Sequence, residues 1–323
     1  MCTPEIAFSH LVLQDGTRLR IPYWDLRSHR PGPVLLVMAA QHGNEISGSA
    51  AIEQFVAEIA PELRAGRILA LPFANPLALR ARRPHFDLGP EQPYIDSHQN
   101  MAMYWPGDAT GRDSQRLTAA LWHDLVLPAT HIIDLHCYPR SAAPLIMIAD
   151  QAETIALAEC LGFPFIRLLA LNEGWTGALR WQAGRLGKVV VGCELSGQYR
   201  VYPGEVQRGK QALLNAAGFL GLSPEPPLAA PAAKYLQMEK YLEVRAPHQG
   251  LFIQTAGAPG SLLQAGQEIG CLLSEQTLQC SSISAPVDAY LLRSCARPDC
   301  DVALPDQHQF VFAQDVLAVL APA

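Results

Sequence analysis

Residues 33–59, PVLLVMAAQHGNEISGSAAIEQFVAEI, hold the pattern from which the fold can be worked out. Pro33–Gln41 is a continuous apolar run of strand length, the pattern of a strand covered on both faces. His42-Gly43-Asn44-Glu45 follows as a polar turn, and Ser47–Ile59 has helix length, with Ser47 as the expected N-cap. The same unit recurs outward along the chain. Arg67–Asn75, His131–Tyr138, Pro144–Ala149 and Lys188–Leu195 are further short apolar runs. Ser114–Val126, with Ser114 as expected N-cap, Gln151–Leu161 and Glu205–Leu220 are further helix-length stretches. Strand–helix alternation of this kind predicts an α/β fold whose central sheet is mostly parallel and flanked by helices.

Near Ser223-Pro224-Glu225-Pro226-Pro227 the character changes to a proline- and alanine-rich passage that reads as a linker. Beyond it come short strand-like pieces with glycine turns. The expected division is residues 1–222 as the α/β domain, 223–234 as linker and 235–323 as a small all-β domain. Two stretches of the last part, Arg245–Leu251 and Ser284–Tyr290, share an Ala-Pro-x-x-Gly/Ala pattern around Gln264–Gly270. This resembles the barrel-sandwich fold of biotinyl and lipoyl domains. A carrier domain needs an acceptor lysine on the hairpin between the halves, and Cys271–Ser284 has none, so a structural β-domain is expected.

The 323 residues include 24 Lys+Arg and 30 Asp+Glu; 49% are hydrophobic and 17% charged. That composition excludes a disordered chain, and a net charge of −6 argues against nucleic acid as a partner. No apolar run approaches the ~20 residues of a spanning helix, so no membrane partner is expected. The N-terminus lacks a basic region followed by an apolar stretch, which points to the cytoplasm. Eight scattered cysteines without a C-x-x-C pair read as buried free thiols.

Ligands of open α/β sheets collect beyond the carboxyl ends of the strands. His42-Gly43-Asn44-Glu45 follows the first run, Asp134-Leu135-His136 lies in the third, and Glu194 closes the last in Cys193-Glu194-Leu195-Ser196-Gly197. An H-x-x-E unit alone is a weak signal, but at a strand end it lets both side chains converge. Asp134, two residues before His136 on the same strand face, either orients the imidazole or is an ordinary buried acceptor. His42, Glu45 and His136 make the His₂Glu set of a catalytic zinc site with one position left open. Such a site needs a proton carrier, and Glu194 is placed for that work.

These motifs resemble the succinylglutamate desuccinylase/aspartoacylase family of the zinc carboxypeptidase superfamily. Asn75-Pro76-Leu77-Ala78 and Trp105-Pro106-Gly107, the latter in place of the family's F-P-G, extend the resemblance over nearly the whole chain. It implies one Zn²⁺ per chain held by His42, Glu45 and His136, with Glu194 as general base and acid. It also implies an arginine in Arg80-Ala81-Arg82-Arg83 that stabilises the oxyanion: Arg83 is favoured for that role and Arg82 is the alternative, otherwise a substrate contact. The implied activity is hydrolysis of the amide of a small N-acyl amine or N-acyl amino acid. A metallocarboxypeptidase and an inactive metabolite- or partner-binding homologue are the alternatives, and a homo-oligomer is compatible with the sequence. One departure stands out. The family's N-L-N-R before F-P-G is replaced by His98-Gln99-Asn100-Met101-Ala102-Met103-Tyr104; aligned from the left Asn100-Met101 takes the place of the Asn-Arg pair, with Asn100 as a substrate contact, and aligned from Trp105 Ala102-Met103 does, so in either register the arginine has become methionine. A thioether cannot grip a carboxylate as a guanidinium does. A longer preceding loop (Leu88–Pro93) accompanies the change, and Arg140 or Arg180 could supply the lost charge. The expectation is a substrate that lacks the usual α-carboxylate or is more apolar there.

Overall fold

A computed structural model of the chain describes residues 3–86, 100–139, 141–169, 176–255, 257–294 and 309–323. Among these residues the strands β1 (Glu5–Val12), β2 (Arg18–Arg27), β3 (Val34–Ala39), β4 (Arg67–Leu71), β5 (His131–Tyr138), β6 (Leu145–Ala149), β7 (Phe165–Leu169), β8 (Val189–Ser196) and β9 (Lys234–Leu236) form one nine-stranded sheet. Its order is β1-β2-β4-β3-β5-β8-β6-β7-β9. Strands β4, β3, β5 and β8 run parallel to one another, as do β6, β7 and β9; the two groups meet antiparallel where β8 pairs with β6. The β1–β2 hairpin adds antiparallel at the edge beside β4.

Alternate side chains of the central strands enter two different cores, as the period of two requires. Leu35, Val37, Ala39, Ile133, Leu135, Val191 and Cys193 pack with the helices α1 (Ser47–Ile59), α4 (Ala152–Cys160) and α6 (Pro203–Phe219). Leu36, Met38, Ile132 and Val190 point the other way, against α3 (Asp113–Leu121) and α5 (Leu179–Gly184). The short α2 (Pro76–Ala81) follows β4 and is capped by the Asn75 side chain, which accepts from Ala78 N–H at 3.1 Å. Burying a large apolar side chain such as the fully buried Phe55 or Phe163 contributes roughly 1.5–3 kcal/mol.

Neither expected serine cap is realised. Ile46 precedes α1, while Ser47 lies inside it and donates its hydroxyl to Arg200 O at 3.3 Å. Ser114 lies in the first turn of α3; Arg112 stands at the cap, its backbone N–H donating to Gln115 Oε1 at 3.0 Å. The thiols also divide. Cys137 and Cys193 are buried, but Cys160 and Cys271 are half-buried and Cys280 is exposed, with its Sγ 3.2 Å from that of Cys271. Cys2, Cys295 and Cys300 lie outside the described residues.

After the Pro/Ala-rich passage the chain returns to the large sheet at β9 and then forms two four-stranded antiparallel sheets. These contain β10 (Leu242–Arg245), β11 (Gly250–Gln254), β12 (Leu262–Leu263), β13 (Glu268–Leu273), β14 (Cys280–Ser284), β15 (Ala289–Ser294), β16 (Phe310–Val311) and β17 (Val316–Pro322). The orders are β10-β17-β15-β12 and β14-β13-β11-β16, around a core that includes Phe252, Ile269, Leu272, Leu291 and Leu317. A separate apolar seam joins them to the large sheet. In it Leu145, Phe165 and Leu236 meet Leu292 and Ala321, and the Phe165 and Tyr290 rings stand edge to face at 5.4 Å. Among the described residues no helix is long and apolar enough to cross a membrane.

Candidate active site

The side chains that the sequence singles out gather at the carboxyl ends of β3, β5 and β8. β3 ends at Ala39, and Ala40 adopts φ +58°, turning the chain so that Gln41–Glu45 fold back over the strand end. Gly43 is required there: a Cβ would collide with the Ala78 and Arg83 carbonyl groups. The turn is fastened by Gly43 N–H to Pro84 O at 3.2 Å and by Tyr199 N–H to Asn44 O at 2.6 Å.

Glu45 is the centre of the cluster. Its Oε1 lies 3.0 Å from His42 Nδ1, and its Oε2 lies 2.9 Å from His136 Nδ1 and accepts from Cys137 N–H at 3.1 Å. Each imidazole is fixed through its other nitrogen. His136 Nε2 lies 3.0 Å from Asp134 Oδ2, and His42 Nε2 lies 3.2 Å from Asn100 Oδ1. That Asn100 atom is an oxygen, because it also accepts from Ala102 N–H at 3.2 Å. Both Nε2 atoms therefore donate outward, which leaves both Nδ1 atoms directed at one carboxylate. Two nitrogen lone pairs and a carboxylate cannot converge without a cation among them. Either a proton or a metal ion must occupy the gap.

The neighbouring charges favour a proton at that place as they would favour a metal ion. Burial works against a charged His136, but Asp134 and Glu45 outweigh it and hold the imidazole well above its ordinary pKa. Burial alone would raise Glu45; the His42 charge and the hydrogen bonds from His136 and His42 overcome it and keep the carboxyl well below the usual range. Donor atoms of His42, Glu45 and His136 all lie within 4.8 Å of one another, and the residues are buried or nearly so. The donor set therefore fits a divalent ion with nitrogen and oxygen preference.

Glu194 is the direct neighbour of His136 across the parallel β5–β8 pair, on the same face of the sheet. It is 7% exposed, and its carboxylate has no hydrogen-bond partner among the described residues. Burial pushes it up to about 8, with Glu45 and Asp134 adding to the effect while His136 and Arg180 oppose it. A carboxyl poised near neutrality can both take and give a proton.

Of the two arginines after α2, Arg82 caps the helix at φ +56° and is exposed, whereas Arg83 is half-buried with its backbone against Gly43. Asn100 lies at the site but grips His42. Met101 is fully buried in the apolar layer with Trp105 and Leu117, and Met103 is half-buried. The longer loop at 88–93, His98, Gln99 and Arg140 lie outside the described residues.

Two contributors escape a reading by motif. Gln41 donates through Nε2 to Asp134 Oδ2 at 2.6 Å, accepts Trp105 Nε1–H at 3.0 Å, and its backbone oxygen accepts from Asn75 Nδ2 at 3.0 Å. It ties the ends of three segments together. A polar residue closing an apolar strand was the available signal. His85 is buried with its ring edge-on to His42, centroids 5.3 Å apart; nothing in its neighbourhood of sequence marks it.

Polar groups converging at the carboxyl ends of a mostly parallel sheet, with a His–Glu–His donor set, define a class of hydrolase architecture. The model of the succinylglutamate desuccinylase/aspartoacylase catalytic domain matches residues 31–220, and the chain belongs to that family of deacylases. Solved structures share the fold at low identity. A succinylglutamate desuccinylase/aspartoacylase from Rhodobacter sphaeroides is 21% identical with a TM-score of 0.74, covering 98% of this chain and 94% of that one. A succinylglutamate desuccinylase from a Silicibacter species is 19% identical with a TM-score of 0.75, covering 99% and 98%. The product-bound ectoine utilization protein EutE (DoeB) from Ruegeria pomeroyi is 18% identical with a TM-score of 0.74, covering 100% and 95%. No curated protein sequence matches the chain.

Proposed function

We propose that this protein is a zinc-dependent amidohydrolase that deacylates a small N-acyl amine or N-acyl amino acid. In this reading residues 1–222 are a zinc carboxypeptidase-like catalytic domain, 223–234 a linker and 235–323 a barrel-sandwich-like β-domain. The observation that carries the proposal is the convergence of two fixed imidazole Nδ1 atoms on the two oxygens of Glu45. His42, Glu45 and His136 would hold the ion. Zinc there would supply Lewis acidity, acidifying the attacking water and polarising the amide carbonyl.

Glu194 takes the proton from the water as it attacks and delivers it to the departing nitrogen. Its burial and raised pKa suit both halves of that transfer. Arg83 offers positive charge to the oxyanion, supported by its position against the His42-Gly43 turn; Arg82, more exposed, reaches substrate outside it. Asn100 orients His42 and presents its amide nitrogen to the substrate.

The test compares two variants. Glu194→Gln keeps stoichiometric zinc and loses turnover of N-acyl substrates by roughly 10²–10⁴-fold. His42→Ala loses zinc and activity together. Near-normal turnover in Glu194→Gln would contradict the assignment.

A further inference from the structure

Away from the active site, the hairpin of β13 and β14 brings two cysteines together. Cys271 pairs with Ser282 and Leu273 with Cys280, so Cys271 and Cys280 are diagonal neighbours on one face of the sheet. Their Sγ atoms lie 3.2 Å apart, within hydrogen-bond reach of each other. That face looks outward. Cys280 is exposed and Cys271 half-buried, and on the neighbouring β11 Leu251 and Ile253, which pair with Leu273 and Cys271, are exposed. Leu272 and Ile283 of the same hairpin point the other way, into the core of the two small sheets. The tip is fastened by Ser274 N–H to Gln279 O and by Leu278 N–H to Ser274 O, each at 3.0 Å, which fixes the strands that carry the two thiols.

The other described thiols are shielded. Burial pushes Cys137 and Cys193 well above the ordinary thiol range, and it pushes Cys160 up to about 12, where the thiol donates to Leu157 O at 3.0 Å. The thiolate is the nucleophile of disulfide exchange, so these three are inert. In the hairpin the hydrogen bond with Cys280, with burial adding to it, raises the Cys271 pKa. Cys271 therefore keeps its proton, while Cys280 has the more open approach. Diagonal positions of a sheet sit about 7–8 Å apart, at the upper limit of what a disulfide spans without adjustment of the main chain. A bond closed between them is readily reduced again, as regulatory disulfides are and structural ones are not.

We propose that Cys271 and Cys280 are a redox-active dithiol that a low-molecular-weight disulfide converts reversibly into a covalent clasp across the β13–β14 hairpin. The Cys280 thiolate attacks one sulfur of the small disulfide, its S–S bond breaks, and the thiolate released takes up the proton that Cys280 gave. Cys271 then loses its proton and attacks Cys280 Sγ in the mixed disulfide. The Sγ–Sγ bond forms, and the second small thiolate leaves with the Cys271 proton. Two protein thiols are oxidised by two electrons in all, and one small disulfide is reduced to two thiols. A dithiol reductant runs the same steps backwards.

The experiment treats the full, pre-reduced chain with oxidised glutathione, alkylates the thiols that remain, and cleaves after Glu275, which lies between the two cysteines. The peptides carrying Cys271 and Cys280 should stay joined until dithiothreitol is added. Cys271→Ser should accumulate a glutathione mixed disulfide at Cys280, because the resolving thiol is gone. In Cys280→Ser the modification of Cys271 should be roughly tenfold slower or more, since the attacking thiol is missing. Thermal melting reports that each variant is folded. An unlinked pair, with both thiols alkylated or each carrying its own glutathione, overturns the proposal, and so does a link from either cysteine to Cys2, Cys295 or Cys300. Undiminished modification of Cys271 in Cys280→Ser would overturn the order of attack.

Discussion

Replacing Asp134 by Asn removes one charge from behind His136 while nearly preserving shape. Asp134 Oδ2 lies 3.0 Å from His136 Nε2 and accepts from Gln41 at 2.6 Å, so the asparagine oxygen can still meet one donor but no longer with a full negative charge. The imidazole then becomes a poorer donor at Nδ1. Loss of such a supporting carboxylate costs about 10–100-fold in metal affinity, or about 1.4–2.8 kcal/mol.

The pH dependence sharpens this test. Burial opposes protonation of His136, yet Asp134 and Glu45 raise its pKa well above the ordinary value, so a proton competes with a metal ion there. Metal binding must displace it, and affinity therefore falls as pH falls, by up to about tenfold per unit. Asp134→Asn lowers the His136 pKa and weakens that proton's competition. The affinity gap between parent and variant is thus widest at high pH and narrows toward acid. Competition with a chromophoric zinc chelator across pH 6–9 (about) reads both quantities. A gap of less than twofold, or one independent of pH, would refute the argument that Asp134 fixes His136 for a metal.

The remaining predictions concern the scaffold. Gly43→Ala drives a methyl group into the Ala78 and Arg83 carbonyls, so the turn bearing His42 and Glu45 must shift; zinc content and hydrolysis should both fall at least tenfold while circular dichroism of the sheet is retained. Asp25 is buried and bound at 2.7 Å by Arg67 Nε, with Arg67 Nη2 and Arg27 Nη2 also at 2.7 Å; Asp25→Asn should cost about 2 kcal/mol in urea unfolding at pH 7, below the full buried-pair penalty because both arginines retain solvent contact. Burial would raise the Asp25 pKa, but Arg67 and Arg27 overcome it and lower it. The contribution is therefore complete above the unfolded value of about 3.9 and disappears as pH falls through the lower folded value, so the difference between parent and variant should close in that acid window.

The strands that carry the site were legible because each is buried on both faces and so appears as an unbroken apolar run. β3, β4, β5 and β6 fall within the runs named from sequence, and β8 exceeds its run by one residue, Ser196. The β1–β2 hairpin alternates exposed and buried residues at the sheet edge, and β7 is interrupted by Arg167 in the middle of FIRLL, so neither presents such a run.

The limits on reading the site have a different origin. His42, Glu45 and His136 could be paired because each closes or follows a strand, and parallel neighbours in register bring such positions together wherever they lie in sequence. Gln41 and His85 act through contacts between segments whose spacing in sequence carries no period: Gln41 meets Trp105 and Asp134, and His85 meets the His42 ring. Met101 shows the converse. Its alignment with the family's arginine reads from sequence as a change in the substrate pocket; the side chain is fully buried in the core beside Trp105, so its identity also serves packing there. Arg167 and Arg293 lie 126 positions apart and on different sheets, brought toward the seam with Tyr138 and Tyr241 only by the pairing of β6 with β7 and by the docking of β15.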